Sequence, residues 1–258
     1  MARLIAGLRA AGWKKAVAAA AALAAVAGLA ALAIWVIVPA ARYGKAESLE
    51  KQGDAAGACV LFDRLGGYRD AAGRKEKLQA AAADSRSAET MVFGGYDWLV
   101  LEERGGRALL LMRDVLDKRP FNEAEGDAQV PASWGDCTLR AWLNGAFYAG
   151  FSQDDRACIA ETAVRGAGNR EYNVKAGGDT RDRVFLLSLE EAELYFPDNA
   201  ARAACGPDGN AAWWWLRSPG MKGTLAAVVT NDGSLGYTGS GVNYYDRGVR
   251  PAIWVTAQ

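Results

Sequence analysis

Arg217 and Arg250 are the side chains whose surroundings most invite chemistry. The first lies in Trp213-Trp214-Trp215-Leu216-Arg217-Ser218-Pro219-Gly220, the second in Gly248-Val249-Arg250-Pro251-Ala252-Ile253-Trp254-Val255. A guanidinium held among aromatic rings can stack on them and fork to a carboxylate. That carboxylate can belong to a ligand or to the chain itself, with Asp97, Asp179 or Asp182 as partner. Buried charges are normally paired, so the expectation for Trp214, Arg217 and Arg250 is a structural role.

A second aromatic cluster reads differently. Gly239-Ser240-Gly241-Val242-Asn243-Tyr244-Tyr245-Asp246-Arg247 is a Gly/Ser-rich loop carrying two tyrosines. Tyrosine on such a loop supplies rigid, amphipathic contact area, although tyrosine in a loop can equally be half-buried packing. Trp213, Asn243, Tyr244, Tyr245 and Arg247 are therefore the expected ligand contacts.

Much other chemistry is excluded. The chain has no histidine, which removes the commonest general base, the commonest zinc ligand and the physiological proton switch together. No catalytic residue and no metal ligand is assigned, and no cofactor is expected. Calcium is permitted but not indicated, since Gly177-Gly178-Asp179-Thr180-Arg181-Asp182 reads as a turn lacking a full ligand set. Asp154-Asp155 and Glu190-Glu191 are explained by helix capping rather than acid–base catalysis. Cys59, Cys137, Cys158 and Cys205 permit three pairings, and equally permit buried free thiols. Thirty Lys and Arg balance thirty Asp and Glu, so nothing in the charge points to nucleic acid.

The elements that must position these residues fall in four segments. Residues 1–15 carry Arg3, Arg9, Lys14 and Lys15 and read as a basic cytoplasmic N-terminus. Residues 16–38 are uncharged and apolar, long enough at ~1.5 Å per residue to cross a ~30 Å hydrocarbon core. They are expected to form a transmembrane helix, with a cleaved signal peptide as the competing reading and a buried core helix as a weaker one. The positive-inside rule then places a single-pass protein in the cell membrane, with the C-terminal bulk extracytoplasmic. Residues 42–84 read as a helical stalk in which Ala46, Leu49, Gly53, Ala58, Phe62 and Leu65 fall at helix–turn–helix offsets, with a third helix from about Asp70 to Ala83.

Residues 89–258 read as an α+β head. A β-hairpin is expected from Met91 to Met112, turning at Gly105-Gly106. A helix carries Leu139, Trp142, Leu143 and Phe147, and Ser152 with Asp155 caps another. Ser188-Leu189-Glu190-Glu191 is a capping box opening a helix through Phe196, after a short strand from Val184 to Leu187. Strands Ala226–Thr230 and Ser234–Tyr237 flank an Asn231-Asp232-Gly233 turn, and a final strand spans Val249–Val255.

Five ordered motifs give this head a resemblance: Phe93-Gly94-Gly95-Tyr96-Asp97-Trp98, Leu139-Arg140-Ala141-Trp142-Leu143-Asn144, Phe185-Leu186-Leu187-Ser188-Leu189-Glu190-Glu191-Ala192, Trp214 to Gly220, and Gly248 to Ala252. Together they resemble an uncharacterised family of bacterial exported domains, often preceded by a tetratricopeptide-like stretch and a membrane helix. The closing pattern is similar to C-type-lectin-like and formylglycine-generating-enzyme-like domains. That resemblance implies an antiparallel-sheet head presenting variable loops, without the calcium triad of a lectin. The expected function is a membrane-anchored binding module for a peptide, glycan or cell-surface partner. The alternatives are an enzyme of the formylglycine-generating type acting through cysteine or metal, and a structural envelope protein that oligomerises.

Overall fold

The computed structural model describes residues 37–51, 55–84, 90–123 and 132–256. Among them no helix is long and apolar enough to cross a membrane. This corrects the expected transmembrane helix over 16–38, and with it the single-pass anchoring and the cell-membrane location. Residues 1–36, which hold most of that segment and the basic N-terminus, lie outside the described residues. Val38, its last residue, instead opens the helix Val38–Lys51, which carries Arg42, Lys45, Glu47 and Glu50.

The chain divides into two compact units, residues 1–75 and 76–258. In the first, the helices Val38–Lys51 and Ala55–Leu65 pack through Ala46, Leu49, Ala58 and Phe62, all buried. Small Ala46 and Ala58 let the backbones approach, and the Phe62 ring meets Tyr43 edge-on at 5.7 Å. The turn expected at Gly53-Asp54 is outside the described residues. A third helix, Ala71–Asp84, begins after Tyr68-Arg69-Asp70. Its Arg74 bonds to Glu47 and Glu50 at 2.6 Å each and lies over the Tyr43 and Phe62 rings, so one guanidinium ties the third helix to the first.

The second unit holds fourteen described strands. They are β1 (Thr90–Phe93), β2 (Tyr96–Arg104), β3 (Arg107–Met112), β4 (Asp117–Lys118), β5 (Thr162–Val164), β6 (Thr180–Asp182) and β7 (Val184–Phe185), followed by β8 (Ala204–Cys205), β9 (Ala211–Ala212), β10 (Trp214–Pro219), β11 (Leu225–Val229), β12 (Leu235–Gly241), β13 (Gly248–Val249) and β14 (Ala252–Thr256). Two five-stranded sheets dominate, ordered β1-β2-β3-β14-β7 and β12-β11-β10-β13-β4, and β5-β6 and β8-β9 form small pairs.

The expected hairpin is a three-stranded meander. Gly94 and Gly95, both at positive φ, turn β1 into β2, and Gly105 and Gly106 turn β2 into β3. The expected final strand is two strands. Val249 completes β13 in one sheet, the chain steps across at Arg250-Pro251, and β14 runs between β3 and β7 in the other. Proline cannot donate to a ladder, so it suits that crossing. The pairing of β13 with β10 is parallel, a departure from the all-antiparallel expectation.

The helix Thr138–Trp142 runs into a wider-wound turn, Leu143–Phe147. Asn144 within that turn accepts from the backbone N–H groups of Arg183 and Val184 at 2.8 and 3.1 Å and donates to the Val184 carbonyl at 2.8 Å. One amide thus satisfies the backbone of β7, which would otherwise carry unmet polar groups at the sheet edge.

Candidate functional site

The register of the parallel pair builds the most distinctive surface of the molecule. Trp214 of β10 sits opposite Gly248 of β13. The residues just before them, Trp213 and Arg247, therefore emerge side by side, because equivalent positions on parallel neighbours point the same way. The Arg247 guanidinium lies 4.4 Å from the Trp213 ring centroid and 5.6 Å from that of Tyr244. Its Nε donates to Ser240 Oγ at 3.1 Å, and Nη1 meets Asp246 Oδ2 at 2.7 Å. Glycine is required at 248, where a Cβ would stand 2.6 Å from Val115 Cγ1 and 2.7 Å from the Trp213 carbonyl oxygen.

The loop between β12 and β13 is held at both ends by one strap. Asn122 N–H donates to the Val242 carbonyl at 2.9 Å and Arg119 N–H to the Arg247 carbonyl at 3.0 Å. Val242 is buried and pins the loop from beneath, while Tyr244 N–H closes a turn onto Gly241 at 3.1 Å. On this frame Tyr244 is 52% and Tyr245 65% exposed. Asn243 is exposed, and Trp213 and Arg247 are half-buried. Of the five expected contact residues, Trp213, Tyr244 and Arg247 thus come together, with Ser240 and Asp246 added, while Asn243 and Tyr245 lie exposed on the same loop. Those two carry no motif, but their nearness to Arg247 in sequence is a signal that could have singled them out.

The residues expected to be structural are buried, and their partners differ from expectation. Arg217 does not pair with Asp97, Asp179 or Asp182. It forks to both oxygens of Glu191, with Nη2 to Oε1 at 2.8 Å, and donates to the Leu186 carbonyl at 2.8 Å. Burial alone would lower its pKa, but the Glu191 charge and hydrogen bonds outweigh this and raise it. Glu191 also closes the capping box, accepting from Ser188 N–H at 2.9 Å while Ser188 Oγ accepts from Glu191 N–H at 3.1 Å. One carboxylate therefore satisfies a helix start and a buried cation.

Among the described residues Arg250 has no carboxylate within bonding distance. It donates to the carbonyls of Met112, Arg202 and Arg113 at 2.9, 3.1 and 2.8 Å, and it lies 4.9 Å from the Trp214 ring. Burial pulls its pKa down to about 10. Trp214 donates its indole N–H to the Arg202 carbonyl at 3.2 Å and Trp215 donates to the Arg119 carbonyl at 2.8 Å. Asp182 serves Arg140, Trp134 and Thr180 instead, at 2.6, 2.9 and 2.6 Å. Arg202, which no sequence pattern marked, is buried and donates to the carbonyls of Gly233 and Phe196 at 2.9 and 3.2 Å. Motif aromatics and arginines are thus consumed inside the fold.

Among the described residues none of the four cysteines forms a disulfide. Cys137 caps a helix, accepting from Arg140 N–H at 3.4 Å, and burial pushes its thiol up to about 12. A thiol so placed is mostly protonated at neutral pH and a poor nucleophile. Among the described residues no group of three or more Cys, Asp or Glu side chains is arranged to hold a metal ion. Ser152 Oγ accepts from Asp155 N–H at 3.0 Å and donates to Asp155 Oδ2 at 2.6 Å, which accounts for one carboxylate of the Asp154-Asp155 pair as part of a helix cap.

The family described as a domain of unknown function (DUF6273) matches residues 105–257. That is more than half of the chain, and the chain belongs to this family. The match includes the motifs from Leu139 onward but not Phe93–Trp98. No curated protein and no solved structure matches the chain.

Proposed function

We propose that this member of a family of unknown function is a binding module, and that its partner is a peptide segment seated on the loop from Asn243 to Arg247 backed by Trp213. The observation that carries the reading is the exposure of two adjacent tyrosines, Tyr244 and Tyr245, on a loop whose base is fixed by buried Val242 and by two backbone hydrogen bonds. Exposed aromatic area on a rigid base binds at low entropic cost, because little order is left to impose. Asn, Gly, Ser and Tyr around it match the composition of adaptable peptide-binding loops. The resemblance to C-type-lectin-like domains supports the reading, since such domains bind through loops presented from sheet ends. The enzyme alternative draws little support from Cys137, buried with its thiol pushed up to about 12.

The test is a combined peptide and glycan array probed with the full chain and with the Tyr245→Ala variant. Retention on peptides that falls at least about tenfold in the variant supports the reading, since central aromatic anchors carry ~1.4 kcal/mol or more. Equal retention by both proteins, or retention on glycans alone, counts against it.

A further inference from the structure

We propose that the peptide segment is recognised through a carboxylate, and that Asp246 occupies the place of that carboxylate in the free protein. This rests on the binding-module reading above. The Arg247 guanidinium is fixed in orientation: Trp213 and Tyr244 lie 4.4 and 5.6 Å from it, and its Nε is tied to Ser240 Oγ. Only its Nη edge is left to choose a partner. Nη1 takes Asp246 Oδ2 at 2.7 Å, and Nη2 donates to nothing among the described residues. A guanidinium edge matches the two oxygens of a carboxylate, and Asp246 uses half of that match.

The Asp246 contact is also the kind that yields. Its side chain is 70% exposed, against 16% for Arg247. An exposed ion pair is weakened by water and salt and holds its partners loosely. An incoming carboxylate that bonds both Nη1 and Nη2 makes two charge-assisted hydrogen bonds where Asp246 makes a single ion-pair contact. Exposed Tyr245 and Asn243 on the same loop are left to meet the rest of the ligand, one with a ring face and the other with an amide donor and acceptor. A neutral ligand would leave Asp246 in place and gain only the ring contact.

The experiment titrates the nitrogen-15-labelled full chain with acetyl-Gly-Glu-Gly-amide and, separately, with acetyl-Gly-Gln-Gly-amide, following the Trp213 indole N–H and the backbone amides of 243–247. The Glu peptide is expected to move these signals saturably and at least about fivefold more tightly than the Gln peptide. D246N is expected to tighten the Glu peptide by about two- to fivefold, because it removes the internal competitor. R247K is expected to weaken it about tenfold while leaving the remaining amide spectrum in place. Equal binding of both peptides at these signals overturns the carboxylate assignment but leaves the binding-module reading standing. Weaker Glu-peptide binding by D246N overturns the role given to Asp246. No shift with either peptide up to ~10 mM overturns the proposal, and peptide retention on the array then decides separately whether the broader reading survives.

Discussion

Arg217 meets a carboxylate and Arg250 meets only carbonyls, so the two respond differently to substitution. Replacing Arg217 strands Glu191, a carboxylate that is also committed to a helix start. Replacing Arg250 by Lys keeps the charge but loses the planar fork that reaches three carbonyls from three places in the chain. Arg250→Lys should lower stability by about 3 kcal/mol, read from urea unfolding midpoints. Glu190 gives a pH signature. Its Oε2 is buried without a hydrogen-bond partner, and burial raises its pKa above the usual carboxylate value. The folded state then holds this proton after the unfolded chain has released it, so stability falls as pH rises through that window. Glu190→Gln should be more stable than the parent at pH 8, with the difference vanishing at pH 4. A constant difference at both pH values would contradict the assignment. At this scale the sequence made the burial of Arg217 and Arg250 legible, because charge amid tryptophans has few other places to go. It hid Glu191 as a partner, since the capping box already accounted for that residue.

Local patterns made most elements legible. The capping box at Ser188, the cap at Ser152, the Gly105-Gly106 turn and the Asn231-Asp232-Gly233 turn each satisfy backbone groups through neighbours in sequence, and each occurs where expected. Elements fixed by distant contacts were not legible. The break between β13 and β14 depends on which sheet each half joins, and the parallel pairing of β10 with β13 depends on a register between residues 34 positions apart. In the run from Val249 to Val255 only Pro251 signals a break, and it does not say which sheet each half joins. The apolar run at 16–38 satisfied a length rule, yet the helix Val38–Lys51 carries five charged residues. Gly248 tests the register directly. Gly248→Ala places a methyl group against Val115 and the Trp213 carbonyl. It should cost about 1–3 kcal/mol in urea unfolding and shift the Trp213 indole resonance, since the crowded atoms belong to a sheet that must move to admit it. An unchanged indole signal would mean that the parallel pairing does not set the Trp213–Arg247 stack.

For the molecule as a whole, the C-terminal strand pair is one of the places where the chain crosses between the two sheets, as it also does between β3 and β4. β13 lies inside one sheet, β14 lies in the other between β3 and β7, and Arg250 at the crossing bonds to the end of β3 and to the helix Asn199–Arg202. Trp214 of the family motif lies against Arg250 at that junction, and the loop from Asn243 to Arg247 leaves two tyrosines exposed. The central claim is this division of labour: buried motif residues fold the domain and the exposed loop binds. The most direct test is Tyr244→Ala/Tyr245→Ala, assayed for thermal unfolding and for array retention on the same preparation. The account predicts a Tm within about 2 °C of the parent, as for exposed side chains, together with loss of peptide retention. A Tm lowered by about 8 °C or more with retention intact would show that these rings serve the fold and that the binding surface lies elsewhere.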